Sequence, residues 1–241
     1  MAPENVEYDP RRKAYFATPG FKPRLITPSA RDYLAQLEML QAEQESPFSH
    51  EAFISVPPTF DVVPFPDRVV EPTVLRSISQ AIRERRAVNI LYQSMTRPEP
   101  TYRWISPHAI ASDGFRWHIR AYCHDRNRFG DFVFGRILEI GENRESEINQ
   151  DDDADWMVML ELTIVPNPSL AEAHKRVIEL DYGMKDHQAK LIVRRALTSY
   201  LKKRLGLIKD IAAESSGNDQ ASQKLHIVLA SEVELPSTSH I

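Results

Sequence analysis

The chain has one cysteine, Cys123, in 241 residues, which excludes an intramolecular disulfide and any cysteine-based zinc site. Long apolar runs are lacking too. No window approaches the roughly 18 to 20 consecutive apolar residues of a membrane span, and residues 1–10 carry no apolar signal core. A membrane partner is not expected, and the cytosol is the expected compartment. The phosphate-cradling motifs GxGxxG and GxxxxGK[ST], the zinc motif HExxH and the serine elbow GxSxG do not occur. No cofactor and no metal is therefore expected. What is present is core-forming material: 42% of the residues are apolar, enough at this length to bury a core without a staple.

The formal net charge of −4, taken alone, argues against a nucleic-acid binder. The sum hides two blocks of opposite sign. Residues 75–141 hold 11 arginines against 6 acids and no lysine, a balance of +5 over 67 residues. Residues 142–155 then hold 7 acids against Arg144 alone, and read as a solvated linker that includes Asp151, Asp152 and Asp153. Arginine without lysine suits bidentate recognition of phosphate and stacking on flat rings, although genome composition can also enrich arginine on an ordinary surface.

Periodicity divides the chain further. Residues 5–18 read as a hairpin around Asp9-Pro10-Arg11-Arg12, with a cationic tip of Arg11, Arg12 and Lys13. Thr27-Pro28 reads as a helix start, and Ala30, Tyr33, Leu34, Leu37 and Leu40 then recur at helical spacing to about Gln44. Residues 46–72 carry six prolines and read as an extended connector. A helix over 72–86 with Val74, Ile78, Ala81 and Ile82 on one face precedes four strand-like runs, 88–92, 102–110, 115–123 and 131–140. One helix and four or five short antiparallel strands predict a small Sm- or SH3-like β-barrel. The remainder reads as a small α/β domain: a strand over 156–165, helices over 168–180 and 186–205 ending at Gly206, and a strand over 225–229. The fold class expected is α+β, with boundaries at 1–26, 27–71, 72–141, 142–155 and 156–241.

Candidate chemistry concentrates on one strand. Alternation over 115–123 puts Arg116, His118, Arg120 and Tyr122 on one face, and Trp117, Ile119, Ala121 and Cys123 on the other. Side chains two apart stand about 6.5 to 7 Å from each other, close to the spacing of phosphates along an extended nucleic-acid strand. Arg103 and Arg136 fall in neighbouring runs, and Tyr92, Ser94 and His108 at strand ends. Like charges in register are tolerable only if the face is wet, holds an anion, or is paired with acids, for which Asp113, Asp131 and Glu139 are available. Trp104 and Trp117 alternate with the polar positions and are expected in the core rather than as base-stacking platforms. Lys190, Arg194, Arg195, Lys202 and Lys203 are expected to form a solvated face of the final helix. Cys123, on the apolar face, has no activating neighbour in sequence.

Four ordered segments carry a resemblance: residues 87–94, Arg103-Trp104-Ile105-Ser106-Pro107-His108, Arg116-Trp117-His118-Ile119-Arg120-Ala121-Tyr122, and Asp131-Phe132-Val133-Phe134-Gly135-Arg136-Ile137. Together they resemble a WYL domain, with Trp117-His118-Ile119 standing where that family has Trp-Tyr-Leu. The wider resemblance is to bacterial transcriptional regulators with a winged helix-turn-helix, a WYL domain and a C-terminal extension, including those beside BREX and CBASS phage-defence systems. Residues 167–170 and 180–183 look like the extension, residues 5–17 like the wing, and the helix after Thr27 like the linker helix. The resemblance implies a homodimer, DNA contact through the wing at Arg11, Arg12 and Lys13, and a pocket for a nucleotide-like or nucleic-acid effector on Tyr92, Ser94, Arg103, His108, Arg116, His118, Arg120 and Arg136. By the same likeness the chain starts at the wing and lacks the recognition helix. The leading expectation is a ligand-sensing regulator and not an enzyme. Two others stand beside it: a nucleic-acid-binding accessory module without operator recognition, and a hydrolase using His108 and His118 as acid and base.

Overall fold

A computed structural model describes residues 5–22, 29–44, 58–63, 66, 68–207 and 226–236. Within the N-terminal unit, Met1–Pro66, β1 (Val6–Asp9) and β2 (Ala14–Ala17) form the expected antiparallel hairpin. Its turn has a local cause: Asp9 Oδ1 accepts the N–H groups of Arg11 at 2.8 Å and Arg12 at 3.3 Å, and Lys13 takes φ 50° to complete the reversal. Helix α1 runs Ala30–Gln44 and buries Leu37. Ser29 Oγ accepts the Asp32 N–H at 3.2 Å, the bond an N-cap makes. Thr27 and Pro28, the expected start, lie outside the described residues, as does much of the proline-rich connector.

The second unit, Asp67–Ile241, opens with α2 (Pro72–Glu84). Proline stands in its first turn, and Val74, Ile78 and Ala81 are buried at helical spacing. Arg85 closes α2 in the left-handed region, and the chain passes at once into β3 (Arg86–Tyr92). β4 (Thr101–Ser112), β5 (Trp117–Cys123), β6 (Arg128–Val133) and β7 (Ile137–Glu145) complete a five-stranded antiparallel sheet in the order β6-β5-β4-β3-β7. The buried stripe of α2 packs on Ile90, Ile105, Ile119 and Phe134 in one core. Truncating a fully buried isoleucine such as Ile78 to alanine costs about 2–5 kcal/mol.

The expected closed barrel does not form. A 3-10 turn at Phe134–Arg136, anchored by buried Phe134, carries the chain from β6 to the far edge, where β7 pairs with β3. The edge strands β6 and β7 do not pair with each other, so the sheet stays open. The protein is mixed α and β with several antiparallel sheets.

Sequence periodicity fails more clearly beyond residue 141. The acidic stretch is not a solvated linker throughout: β7 extends to Glu145, and Asp153 is only 1% exposed. Trp156 sits in a short helix, α3 (Ala154–Met157), before β8 (Met159–Pro166) begins. The helix expected from Pro168 starts four residues later as α4 (Glu172–Asp181), because Asn167 and Leu170 close a turn first. The long helix expected over 186–205 is replaced by β9 (Ala189–Arg194), a 3-10 turn at Arg195–Leu197 and the short α5 (Thr198–Arg204). Ile192 and Val193 explain the error: β-branched residues suit a strand, and β9 finds a partner in β8. β10 (Ile227–Glu234) pairs with the other edge of β8. The five cations expected on one helix are therefore distributed, Lys190 and Arg194 on β9, Arg195 in the turn, and Lys202 and Lys203 on α5. Lys190 pairs with Glu161, Arg195 with Glu234 and Lys202 with Glu232.

Candidate functional site

Alternation along β5 holds from His118 onward. Ile119, Ala121 and Cys123 enter the core behind the sheet, and His118 and Arg120 face the other way. That second face is not wet. His118 and Arg120 are 2% and 6% exposed, because the 150s and α5 cover them. Arg120 binds Asp153 through two parallel bonds, Nε to Oδ2 at 2.7 Å and Nη2 to Oδ1 at 2.8 Å, and gives Nη1 to Asp131 at 3.1 Å. Burial alone would lower the arginine's affinity for its proton; Asp153 and Asp131 together raise it.

The rest of that face is paired as well. Arg116 and His118 share Asp113, at 3.1 Å from Arg116 Nε and 2.9 Å from His118 Nε2. Burial would raise the Asp113 carboxyl, but His118, the backbone N–H groups of Phe115 and Arg116, and the Arg116 guanidinium hold it well below the usual carboxylate range. His108 Nε2 lies 3.0 Å from Asp153 Oδ2, and burial keeps this histidine below its ordinary value despite that carboxylate. Of the three acids set against an anion site, Asp113 and Asp131 are engaged by the ladder, whereas Glu139 accepts from the Tyr102 hydroxyl instead. Asp153 was missed, because a run of aspartates reads as solvated until the tertiary fold buries one.

Four of the eight expected effector residues do converge. Tyr92, Ser94, Arg103 and Arg136 line a cavity of about 250 Å³ together with Arg126, Arg128 and Asp131. Arg103 is its innermost cation, 5% exposed; Nε donates to Thr101 Oγ1 at 3.1 Å, and the guanidinium stands 5.5 Å from the Tyr92 ring centroid. Nη2 of Arg103 is buried and has no hydrogen-bond partner among the described residues. Burial and the neighbouring Arg126 both lower the Arg103 pKa, the signature of a cation short of a counter-charge. Tyr92 is fixed by its hydroxyl, which accepts the Val133 N–H at 3.2 Å, and Ser94 Oγ closes its loop on the N–H groups of Thr96 and Arg97. Arg126 and Arg128 were hidden in a stretch read as a turn; two arginines two apart at a strand start were the available signal.

His118 and Arg120 do not line this cavity, Arg116 lines a different one beside Arg136, and His108 lines a small recess of about 50 Å³ with Ser106. Trp117 is 53% exposed, contrary to the core expectation, while Trp104 lies half-buried under the Arg144 guanidinium. No cluster of three or more metal-ligating side chains occurs among the described residues. No helix among them is long and apolar enough to cross a membrane. In the wing, Arg12 lies 3.8 Å from Asp9 and stacks over Phe16, while Arg11 and Lys13 are exposed.

Comparison with known proteins agrees with this arrangement of elements. Family profiles match in chain order: the BrxR transcriptional regulator winged helix-turn-helix domain at residues 1–39, the WYL domain at 73–141, and the BrxR transcriptional regulator C-terminal dimerization domain at 159–235. The DNA-binding transcriptional repressor CapW of Stenotrophomonas maltophilia is 38% identical over 89% of this chain and 73% of its own length. The chain belongs to the WYL-domain transcriptional regulators. CapW repressors of Escherichia coli, strain KTE188, and Pseudomonas aeruginosa are 32% and 34% identical, each over 98% of this chain and 76% of their own length. In this WYL regulator the five-stranded sheet and α2 coincide with the WYL match, and β8, α4, β9, α5 and β10 fall inside the dimerization match.

Proposed function

We propose that this chain is a homodimeric, DNA-binding transcriptional repressor of a phage-defence system, and that its WYL sheet binds a nucleotide-like or nucleic-acid effector. The observation that carries the effector half is Arg103, a buried guanidinium with no carboxylate partner among the described residues, at the back of a cavity ringed by Arg126, Arg128 and Arg136. A buried cation is tolerated where an anion completes it, and arginine's fork suits phosphate. Arg120 and His108 then have a different task, tying the WYL sheet to the start of α3 through Asp153, while Arg116 and His118 are held by Asp113 within the WYL part itself.

Asp131 supplies a route from cavity to dimer. Its carboxylate lines the cavity, accepts Arg120 at 3.1 Å, and accepts the hydroxyl of Tyr200 on α5 at 2.9 Å. An entering phosphate repels Asp131 and loosens its hold on α5, which biases the dimer between DNA-binding states. The repressor names of the relatives and the cationic wing favour operator binding over an accessory role; Arg11 and Lys13, exposed at the hairpin tip, are the proposed phosphate contacts.

The test is titration of the full chain with nucleoside monophosphates and short oligonucleotides, comparing wild type with Arg103→Ala. Losing a charge-assisted contact of about 1.5–3 kcal/mol weakens binding about ten-fold or more. Unchanged affinity in Arg103→Ala removes the site assignment. In parallel, Arg11→Ala/Lys13→Ala should weaken binding of promoter duplex and flatten its salt dependence; an unaltered salt slope argues against the wing contact.

A further inference from the structure

The small recess beside His108 holds a set of groups separate from the arginine cavity. Its volume is about 50 Å³, and Arg85, Arg86, Ser106, His108, Ser146 and Asn149 are among the residues that line it, with no carboxylate among those described. Arg85, exposed at the end of α2, makes no side-chain hydrogen bond or ion pair among the described residues. Arg86 gives Nε to Asn143 Oδ1 at 2.8 Å, which leaves its two terminal nitrogens without a partner among them. One wall is fixed by hydroxyls: Ser106 Oγ lies 2.8 Å from His124 Nε2 and 2.6 Å from Ser146 Oγ, and Ser146 Oγ accepts the Ile148 N–H at 3.3 Å. His108 adds an unmet acceptor. Its Nε2 lies 3.0 Å from Asp153 Oδ2, on a carboxylate that already accepts two Arg120 N–H groups and the Trp156 N–H. An ionised carboxylate only accepts, so Nε2 carries the hydrogen, and burial keeps a second proton off the ring. Nδ1 is then a bare acceptor. It is buried with no partner among the described residues, on a side chain 9% exposed.

We infer that this recess binds a single hydrogen phosphate ion, whose oxygens take the Arg85 and Arg86 guanidiniums and whose P–OH group donates to His108 Nδ1. The lining asks for two properties at once. Guanidiniums without a carboxylate call for an anion, and a buried imidazole nitrogen with only a lone pair calls for a donor. Size is the third condition. At about 10–15 Å³ for each water-sized atom, 50 Å³ takes about four, the oxygens of one phosphate but not a nucleoside. Sulfate has the same shape but no proton near neutral pH, so one of its oxygens would face the Nδ1 lone pair. A phosphate monoester dianion lacks the O–H too, and its ester group finds no room. A metal cation is repelled by the two arginines. The recess shares no lining residue with the Arg103 cavity, so the inference does not depend on the effector reading. A phosphate here ties residues 146–150 to the end of α2 and to β4, next to the contact of His108 with Asp153. Its occupancy steadies the segment that brings Asp153 to Arg120.

The experiment is equilibrium dialysis of the full chain against radiolabelled orthophosphate, slightly above neutral pH and at constant ionic strength, with sulfate as the competitor. With the arginine cavity disabled by Arg103→Ala, one phosphate per chain should still bind. It should be preferred to sulfate about 5- to 150-fold, the worth of a buried acceptor that is satisfied rather than opposed. The other variants are made in that background. Arg85→Asn removes a cation but keeps a residue that tolerates the left-handed backbone at φ 51°, and should weaken both anions alike by about ten-fold. His108→Gln keeps an N–H for Asp153 and offers no acceptor at the Nδ1 position; it should remove the preference for phosphate over sulfate. Cooperative urea unfolding of each variant checks the fold, and Arg85→Asn, on an exposed side chain, keeps the test decisive if His108→Gln unfolds. Sulfate binding as tightly as phosphate, or a preference that survives in His108→Gln, overturns the hydrogen phosphate assignment. Absence of saturable binding at millimolar phosphate in Arg103→Ala, or binding there that is indifferent to Arg85→Asn, overturns the site.

Discussion

Asp153 is the residue on which the joint between the WYL sheet and the C-terminal part depends most, and its replacement by asparagine isolates the reason. The aspartate and Arg120 side chains are 2% and 7% exposed, so solvent screens their two bonds very little. Removing one partner of such a pair costs about 3–5 kcal/mol, because the other charge stays buried. Arg120 keeps Asp131 at 3.1 Å, which places the cost at the lower end, about 3 kcal/mol. Asp153→Asn retains an oxygen for the Trp156 N–H, which the aspartate accepts at 3.3 Å, so capping of α3 is not lost with the charge. For a unit of this size about 3 kcal/mol lowers Tm by about 6–12 °C. The assay is thermal and urea unfolding of wild type, Asp153→Asn, Arg120→Met and the double variant. The double variant should be no less stable than Asp153→Asn, since it removes the stranded cation. A Tm change under about 2 °C for Asp153→Asn, or a double variant that falls by the sum of the singles, refutes the reasoning.

Two further outcomes follow from the same geometry. Burial holds His108 below its ordinary value near 6.5, with Arg120 and Arg194 opposing and Asp153 favouring its proton. The unfolded chain therefore takes up this proton first, and the stability tied to neutral His108, full above pH about 6.5, declines as pH falls through that value toward the lower folded one. Tm measured from pH 7.5 to 5 should fall less steeply in His108→Gln, and an unchanged slope counts against it. Gly135→Ala should cost about 1–3 kcal/mol, since a backbone oxygen 2.8 Å away cannot swing aside like a side chain. It should also displace residues 68–70. A wild-type Tm for Gly135→Ala would show the contact to be relaxed without cost.

The sequence by itself determined several local elements. The Asp9 turn, the proline-led stripe of α2 and the alternation of β5 depend on residues within a few positions of one another, so periodicity finds them. The arginine block is legible for the same reason, since composition needs no fold. Tertiary structure decided what each arginine faces. Arg103 and Arg120 look alike in sequence, each on a strand of the same sheet. Arg120 meets Asp153 from 33 positions away, whereas Arg103 meets Tyr92 and an open cavity. The strand at 189–194 and the burial of one aspartate in an acidic run were equally invisible, because a β-partner and a desolvating cover are both supplied by distant chain. The net charge of −4 says nothing of this, for it adds together charges that the fold pairs off and charges that it places on cavity walls.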